Sequence, residues 1–210
     1  VFAIEQAQRN VLLELSDGDR RASPVACLQR VLADLSAEDR ELVQHSLFLG
    51  VEREELIADA MLAGLNQGDG SPNQPERAFL VRNLIGVDPR NGAVAVADRV
   101  RAGQNVQFQL REAQASRLEA RQLLQARSDQ CGDEAPLMGV LFACLGRGSG
   151  LFGGPDGDVS IARDVFPQLP VAGGFCNGEI GPLGGATHLH GYTACWGLLR
   201  CDPPAGATQS

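Results

Sequence analysis

Three glycine-flanked segments in the last third of the chain gather the residue types that do chemistry. The first is LFACLGRG, residues 141–148. Cys144 lies at the end of an apolar run, Gly146 and Gly148 permit positive φ and close backbone approach, and Arg147 is held between them. Strand ends followed by glycine loops are common places for small-ligand sites. A guanidinium there can pair bidentately with a ligand carboxylate, or it can pair with an internal acid or cap a helix. The second segment is GGFCNGEIGP, residues 173–182. Asn177-Gly178 is a strong turn signal. Asn177 offers amide donors and an acceptor, and Glu179 offers a carboxylate to an amine or to Arg147; a hairpin with Glu179 as a structural ion-pair partner is an equal reading. Cys176 would place a thiol nearby, and its alternation with Phe175 lets only one of the two face inward. The third segment is HLHGYT, residues 188–193. Alternation puts His188 and His190 on one face and Leu189 on the other. Two imidazoles could bind metal or act as acid and base, but a lone pair two residues apart lacks the further ligands a metal needs. Tyr192 and Trp196, the sole tyrosine and tryptophan, read as packing residues, and Asp156 and Asp158 as helix-capping acids.

Composition narrows what these residues could do. All 18 basic side chains are arginine, which excludes a Schiff-base lysine and a phosphate loop of the GxxxxGK type. A net charge of -8 without a basic cluster argues against nucleic acid or an anionic membrane as partner. No stretch approaches the roughly 18 to 20 apolar residues that span a bilayer, so direct membrane insertion is not expected. Six cysteines without a CxxC pair read as reduced thiols in a cytoplasmic compartment. Cys144 or Cys176 with His190 and Glu179 would supply a cysteine hydrolase with its residue types, yet no recognisable local signature surrounds either thiol. GRGSG is not a dinucleotide fingerprint. No cofactor and no metal are expected.

These residues must be held by elements, and hydropathy patterning supplies them. Residues 10–15 read as a strand, followed by turn chemistry at Asp17, Gly18 and Asp19. Ser23-Pro24 reads as N-cap and first helical residue, with Val25, Leu28, Val31, Leu32 and Leu35 along one face. Ser36 with Asp39 starts a second helix in capping-box style, and residues 46–51 are a short buried strand. Residues 66–77 are turn formers without periodicity and read as an exposed loop. Strands at 79–85, 93–97 and 106–110 read as a three-strand antiparallel meander, and residues 112–127 as a helix. The apolar run 137–145 reads as a strand buried on both faces. A helix follows to about Phe166, then strands at 171–175 and 193–199. The fold class expected is α+β (mixed α/β): a mixed, partly antiparallel sheet with packed helices, a three-strand meander, and buried strands toward the C-terminal end.

The string from Leu141 to Thr193 also resembles the C-terminal half of a FIST domain, the name abbreviating F-box and intracellular signal transduction. It carries a CxGRG strand end at Cys144–Gly148, a GxxxNGEIGP turn at Gly173–Pro182 and an HGYT strand at His190–Thr193, in that order. Residues 79–112 resemble the family's middle segment, so the likeness covers most of residues 21–200. It implies a cytoplasmic sensory module that binds a small ligand, an amino acid or related metabolite, rather than an enzyme. Residues 1–20 would be a remnant of a preceding FIST N half or a connecting strand, 21–202 the FIST C-like domain, and 203–210 a disordered tail. The implied partners are the small molecule, the N-terminal FIST half and a signalling output protein or domain. The ligand-facing set would be Cys144, Gly146, Arg147 and Gly148 of the first segment, Cys176, Asn177, Gly178 and Glu179 of the second, and His190 and Tyr192 of the third. A cysteine-dependent hydrolase or acyl-transfer enzyme and a protein-interaction scaffold remain the alternatives.

Overall fold

The computed structural model describes residues 1–52, 79–132, 135–183 and 186–201. The loop expected over 66–77 and the tail expected over 203–210 lie outside the described residues. The fold is the expected mixed α+β type. The chain divides into two compact units, Val1–Arg111 with Gly181–His190, and Glu112–Ile180 with Gly191–Ser210.

The first unit is built on seven strands: β1 (Phe2–Gln8), β2 (Val11–Asp17), β3 (Arg20–Ala22), β4 (Leu47–Glu52), β5 (Phe79–Asp88), β6 (Ala93–Val96) and β7 (Asn105–Leu110). Their order is β1-β7-β4-β5-β6-β2-β3, and β1 also pairs with β2. That last pairing closes six strands into an antiparallel barrel, with β3 attached to β2. Closure removes the free edges that would otherwise invite aggregation. Register shifts lie within the β1–β2 and β5–β6 pairs, and bulges of this kind bend strands enough to close a small barrel. Ile4, Leu12, Leu15, Leu49, Val51, Val94, Val96 and Val106 are buried together in its core. Helices α1 (Pro24–Asp34) and α2 (Ala37–Ser46) lie between β3 and β4 in sequence. Ser23 and Ser36 cap them, accepting from the amides of Ala26 and Asp39, as the sequence pattern requires. The hairpin of β10 (Glu179–Leu183) and β11 (Ala186–His190) forms a separate two-stranded sheet.

The meander exists but its membership shifts. Its three consecutive neighbours are β4, β5 and β6. Residues 105–110 leave it and insert between β1 and β4, because only that placement completes the ring. The connection into β7 is pinned by backbone bonds, Val100 N–H to Arg9 O at 2.9 Å and Gly103 N–H to Ile4 O at 2.8 Å. The sequence boundary drawn at residue 20 falls inside the β2–β3 pair, where Asp17 faces Arg20.

The second unit has a three-stranded sheet, order β12-β8-β9, of β8 (Met138–Cys144), β9 (Val171–Cys176) and β12 (Ala194–Leu199). β8 and β9 run parallel and β12 antiparallel to β8. Helix α3 (Ala113–Cys131) precedes β8; α4 (Ser149–Phe152) and α5 (Gly157–Val165) form the β8-to-β9 crossover, as parallel pairing demands. Leu124 of α3, Ile161 and Ala162 of α5, Phe166 and Leu169 make the core, with Val171, Trp196 and Leu198 of the sheet packed against it. Arg121 of α3 and Asp164 of α5 add an exposed ion pair. The expectation of a strand buried on both faces is corrected. Phe142, on the face opposite the one that carries Trp196 and Leu198 against the helices, is 48% exposed, so only the helix-facing side of this sheet is deeply packed.

Candidate functional site

Residue alternation and register place three thiols on one face of the second unit's sheet. Cys144 of β8 and Cys176 of β9 are direct partners in the parallel pair. Cys195 of β12 sits opposite Phe142, which shares a face with Cys144. Cys144 and Cys176 lie at the carboxyl ends of two parallel strands, where open α/β sheets place ligands. The close pairing of β8 with β9 depends on Gly173. Its φ is 154°, and a Cβ there would stand 1.9 Å from the carbonyl oxygen of Leu141, which no side chain can tolerate.

The turn after β9 brings Glu179 to this end. Its carboxylate is 1% exposed. Oε2 accepts from the Thr193 hydroxyl at 3.0 Å and from the Thr193 amide at 3.4 Å. Oε1 is buried and has no hydrogen-bond partner among the described residues. Thr193 is itself fixed, because its carbonyl accepts from the Cys144 amide at 2.9 Å. An unsatisfied buried acceptor costs about 1–3 kcal/mol, and more when charged. Oε1 of Glu179 is therefore a buried acceptor that lacks a donor among the described residues.

The electrostatics around it bear on the thiols. Burial pushes the Cys195 thiol above its ordinary value of 9.0; the Thr193 hydroxyl pulls it back, while Glu179 and Cys176 push it further up. At neutral pH Cys195 is a protonated thiol and a poor nucleophile. All six cysteines are free.

Arg147 takes one of the roles open to it, the pairing with an internal acid. Its Nε donates to Asp158 Oδ2 at 3.0 Å and its Nη2 to Asp158 Oδ1 at 2.6 Å. Its guanidinium also lies 5.4 Å from the centre of the Phe152 ring. The pair ties the 3₁₀ turn Leu145–Arg147 after β8 to the first turn of α5. Phe152 packs there because Gly157 has no Cβ; one would stand 2.1 Å from the ring. The expected capping role of the aspartates is corrected: Asp156 is at the N-cap position but makes no side-chain cap bond, and Asp158 is committed to Arg147. Gly146 and Gly148 are corrected as positive-φ positions, since neither has positive φ and the 3₁₀ turn accommodates both.

Asn177 is exposed and Gly178, at φ 111°, completes the turn. That turn joins strands of different sheets rather than a hairpin. Tyr192, just before Thr193, has a left-handed φ of 66°. His190 belongs to the first unit, where its Nε2 lies 3.0 Å from the Gly181 carbonyl oxygen and its ring is edge-on to His188 at 6.1 Å. Among the described residues no group of three or more His, Cys, Asp or Glu side chains could hold a metal ion. The second unit thus brings together Cys144, Cys176 and Glu179 from the sequence-derived set. It adds Thr193 and Cys195, which the sequence reading passed over. Their signal was present: they stand two apart at the start of the last strand, so alternation turns both toward one face.

Comparison with known proteins gives a consistent result. The FIST C domain profile matches residues 24–182. The chain is 35% identical over 176 residues to the uncharacterized protein Rv0628c of Mycobacterium tuberculosis, covering 84% of this chain and 42% of that protein. It is 34% identical over 179 residues to the uncharacterized protein Mb0898c of Mycobacterium bovis, covering 85% of this chain and 42% of that protein. The chain thus spans less than half the length of these curated relatives. No solved structure matches it significantly.

Proposed function

The chain belongs to the FIST C domain family, a family of sensory modules of signal transduction, and on that premise we propose that it binds a small ligand bearing a protonated nitrogen, such as an amino acid, through Glu179. The observation that carries this reading is the buried Oε1 of Glu179 without a donor. An ammonium or amide N–H would satisfy it with a charge-assisted bond, and its other oxygen is already held by Thr193. Cys144, Cys176 and Cys195 would flank the ligand with soft, weakly polar surface, and Asn177 and Gly178 would border its entry. Arg147 serves this site by fixing the turn after β8 against α5. The signal would pass to an output protein or domain, and an N-terminal FIST half would complete the sensor in the cytoplasm. Among the described residues no helix is long and apolar enough to cross a membrane.

FIST C is not an established enzyme family, and the raised thiol of Cys195 disfavours a nucleophilic role for that residue. The test is a thermal-shift screen of amino acids and simple amines, in which a ligand at 100 times its Kd stabilises by about 2.7 kcal/mol. Glu179→Gln keeps an acceptor for Thr193 but removes the charge, so a hit is expected to lose its shift in that variant. A hit whose shift is undiminished in Glu179→Gln would overturn the assignment.

A further inference from the structure

We infer that the first unit carries a second, separate site, a cleft at the end of the barrel that binds a small polyanion of the phosphate-ester or polycarboxylate class. The cleft has a volume of about 980 Å³ and is lined by Ala7, Arg9, Asn10 and Arg99–Ala102. Its size is at the upper end of the roughly 300–1,000 Å³ of small-molecule sites. Three arginines line it in a chain whose net charge is -8, so the local charge runs against the whole.

The three arginines are exposed, and two observations bear on what they could hold. First, the guanidiniums of Arg9, Arg99 and Arg101 have no hydrogen-bond or ion-pair partner among the described residues. The neighbouring acid is engaged elsewhere: Asp98 Oδ2 accepts from Arg82 Nε at 2.7 Å, and Asp98 Oδ1 accepts from the Arg99 amide at 2.7 Å. Second, the backbone that presents them is fixed. The Arg9 carbonyl accepts from the amide of Val100, a core residue that is 4% exposed, so Arg9 is bonded directly to the segment carrying Arg99 and Arg101. The Asn10 side chain donates to the Val96 carbonyl at 3.2 Å. Arg9 also holds φ at 58° in the two-residue turn between β1 and β2, a conformation that glycine, asparagine and aspartate adopt far more readily. An arginine held there against its backbone preference is the kind of outlier that points to a use for the side chain.

Three arginines lining one concavity match a ligand with two or more negative charges, each able to take bidentate bonds from a guanidinium. A concave, local site on an acidic protein favours a small polyanion over an extended one such as nucleic acid, which needs a basic track.

The test is calorimetric titration with inorganic pyrophosphate and with citrate at matched ionic strength. Saturable binding of either is expected, and which binds more tightly identifies the phosphate or carboxylate class. Arg9→Gly removes one guanidinium while relaxing the turn, so it should fold at least as stably as the parent and bind about tenfold more weakly. Arg99→Ala with Arg101→Ala should abolish binding, whereas Glu179→Gln should leave it unchanged, which separates this site from the one built on Glu179. No saturable binding of either probe, or equal binding by Arg9→Gly and the parent, would overturn the inference. So would binding of a single-stranded oligonucleotide or anionic vesicle that pyrophosphate does not compete.

Discussion

Asp158→Ala should cost the second unit more than any surface substitution, and the reason is arithmetical. The side chains of Arg147 and Asp158 are 7% and 5% exposed, respectively. An exposed pair would contribute about 0–1 kcal/mol. Removing one partner of a buried pair leaves the other charge unpaired and costs about 3–5 kcal/mol. Asp158 also sits in the first turn of α5, where a carboxylate contributes about 0.3–1 kcal/mol through the helix dipole. The Phe152 ring beneath the guanidinium offsets about 0.5–2 kcal/mol of this loss. The net expectation is about 3–4 kcal/mol. With a urea slope of about 2 kcal/mol/M, the midpoint falls by about 1.5–2 M. Trp196 is the only tryptophan and packs on the α3–α5 core, so its fluorescence reports on the same unit. The double substitution Arg147→Met with Asp158→Leu should recover most of the loss, because no charge is then stranded. A midpoint shift below about 0.5 M for Asp158→Ala, or additive losses in the double-mutant cycle, would refute the claim that this pair locks the β8 turn to α5.

Gly173→Ala should destabilise the second unit by about 3 kcal/mol or prevent its folding, since the new methyl meets the Leu141 backbone carbonyl rather than a movable side chain; chemical denaturation followed by Trp196 fluorescence measures it. Cys195 should resist alkylation at neutral pH, reacting appreciably only above its ordinary 9.0, and Glu179→Gln should move that reactivity midpoint downward, as read by peptide mass spectrometry across a pH series. The same raised value has a stability consequence. The folded chain keeps the Cys195 proton longer than the unfolded chain does, so this group's contribution is constant below about pH 9 and declines as pH rises through the folded value.

Local chemistry was legible in the sequence wherever the partner was near along the chain. Ser23 before Pro24 and Ser36 before Asp39 predict two capped helices, and both caps form. The β5–β6 hairpin follows from the alternation on either side of Asn91-Gly92. Long-range pairing was not legible. Val106, Phe108 and Leu110 alternate equally well beside β6 or beside β4, and only closure of the barrel decides between them. β1 went unread because FAIEQAQ mixes polar residues into its alternation, yet Phe2 and Ile4 are core residues. At the site, the motifs located the right turns but not the partners of their charges. Nothing in GRGSG shows that Asp158, eleven residues on, takes the Arg147 guanidinium.

That reassignment of charge changes the chemistry the site can do. Read from the sequence, Arg147 was the anion anchor and Glu179 either its partner or an amine acceptor. With Arg147 neutralised by Asp158, the second unit's end presents a carboxylate and three thiols, and its complement is a cation or an N–H donor. A ligand carboxylate there would face Glu179 with the Arg147 guanidinium already taken by Asp158, so an amino acid would have to enter by its amino group. Arg9, Arg99 and Arg101 of the barrel line a cleft, and their guanidiniums have no partner among the described residues. On these two proposals a cationic group and a polyanion are sensed by different units. Glu179→Gln and Arg9→Gly should then each silence one response and leave the other intact, an outcome that a single shared pocket cannot produce.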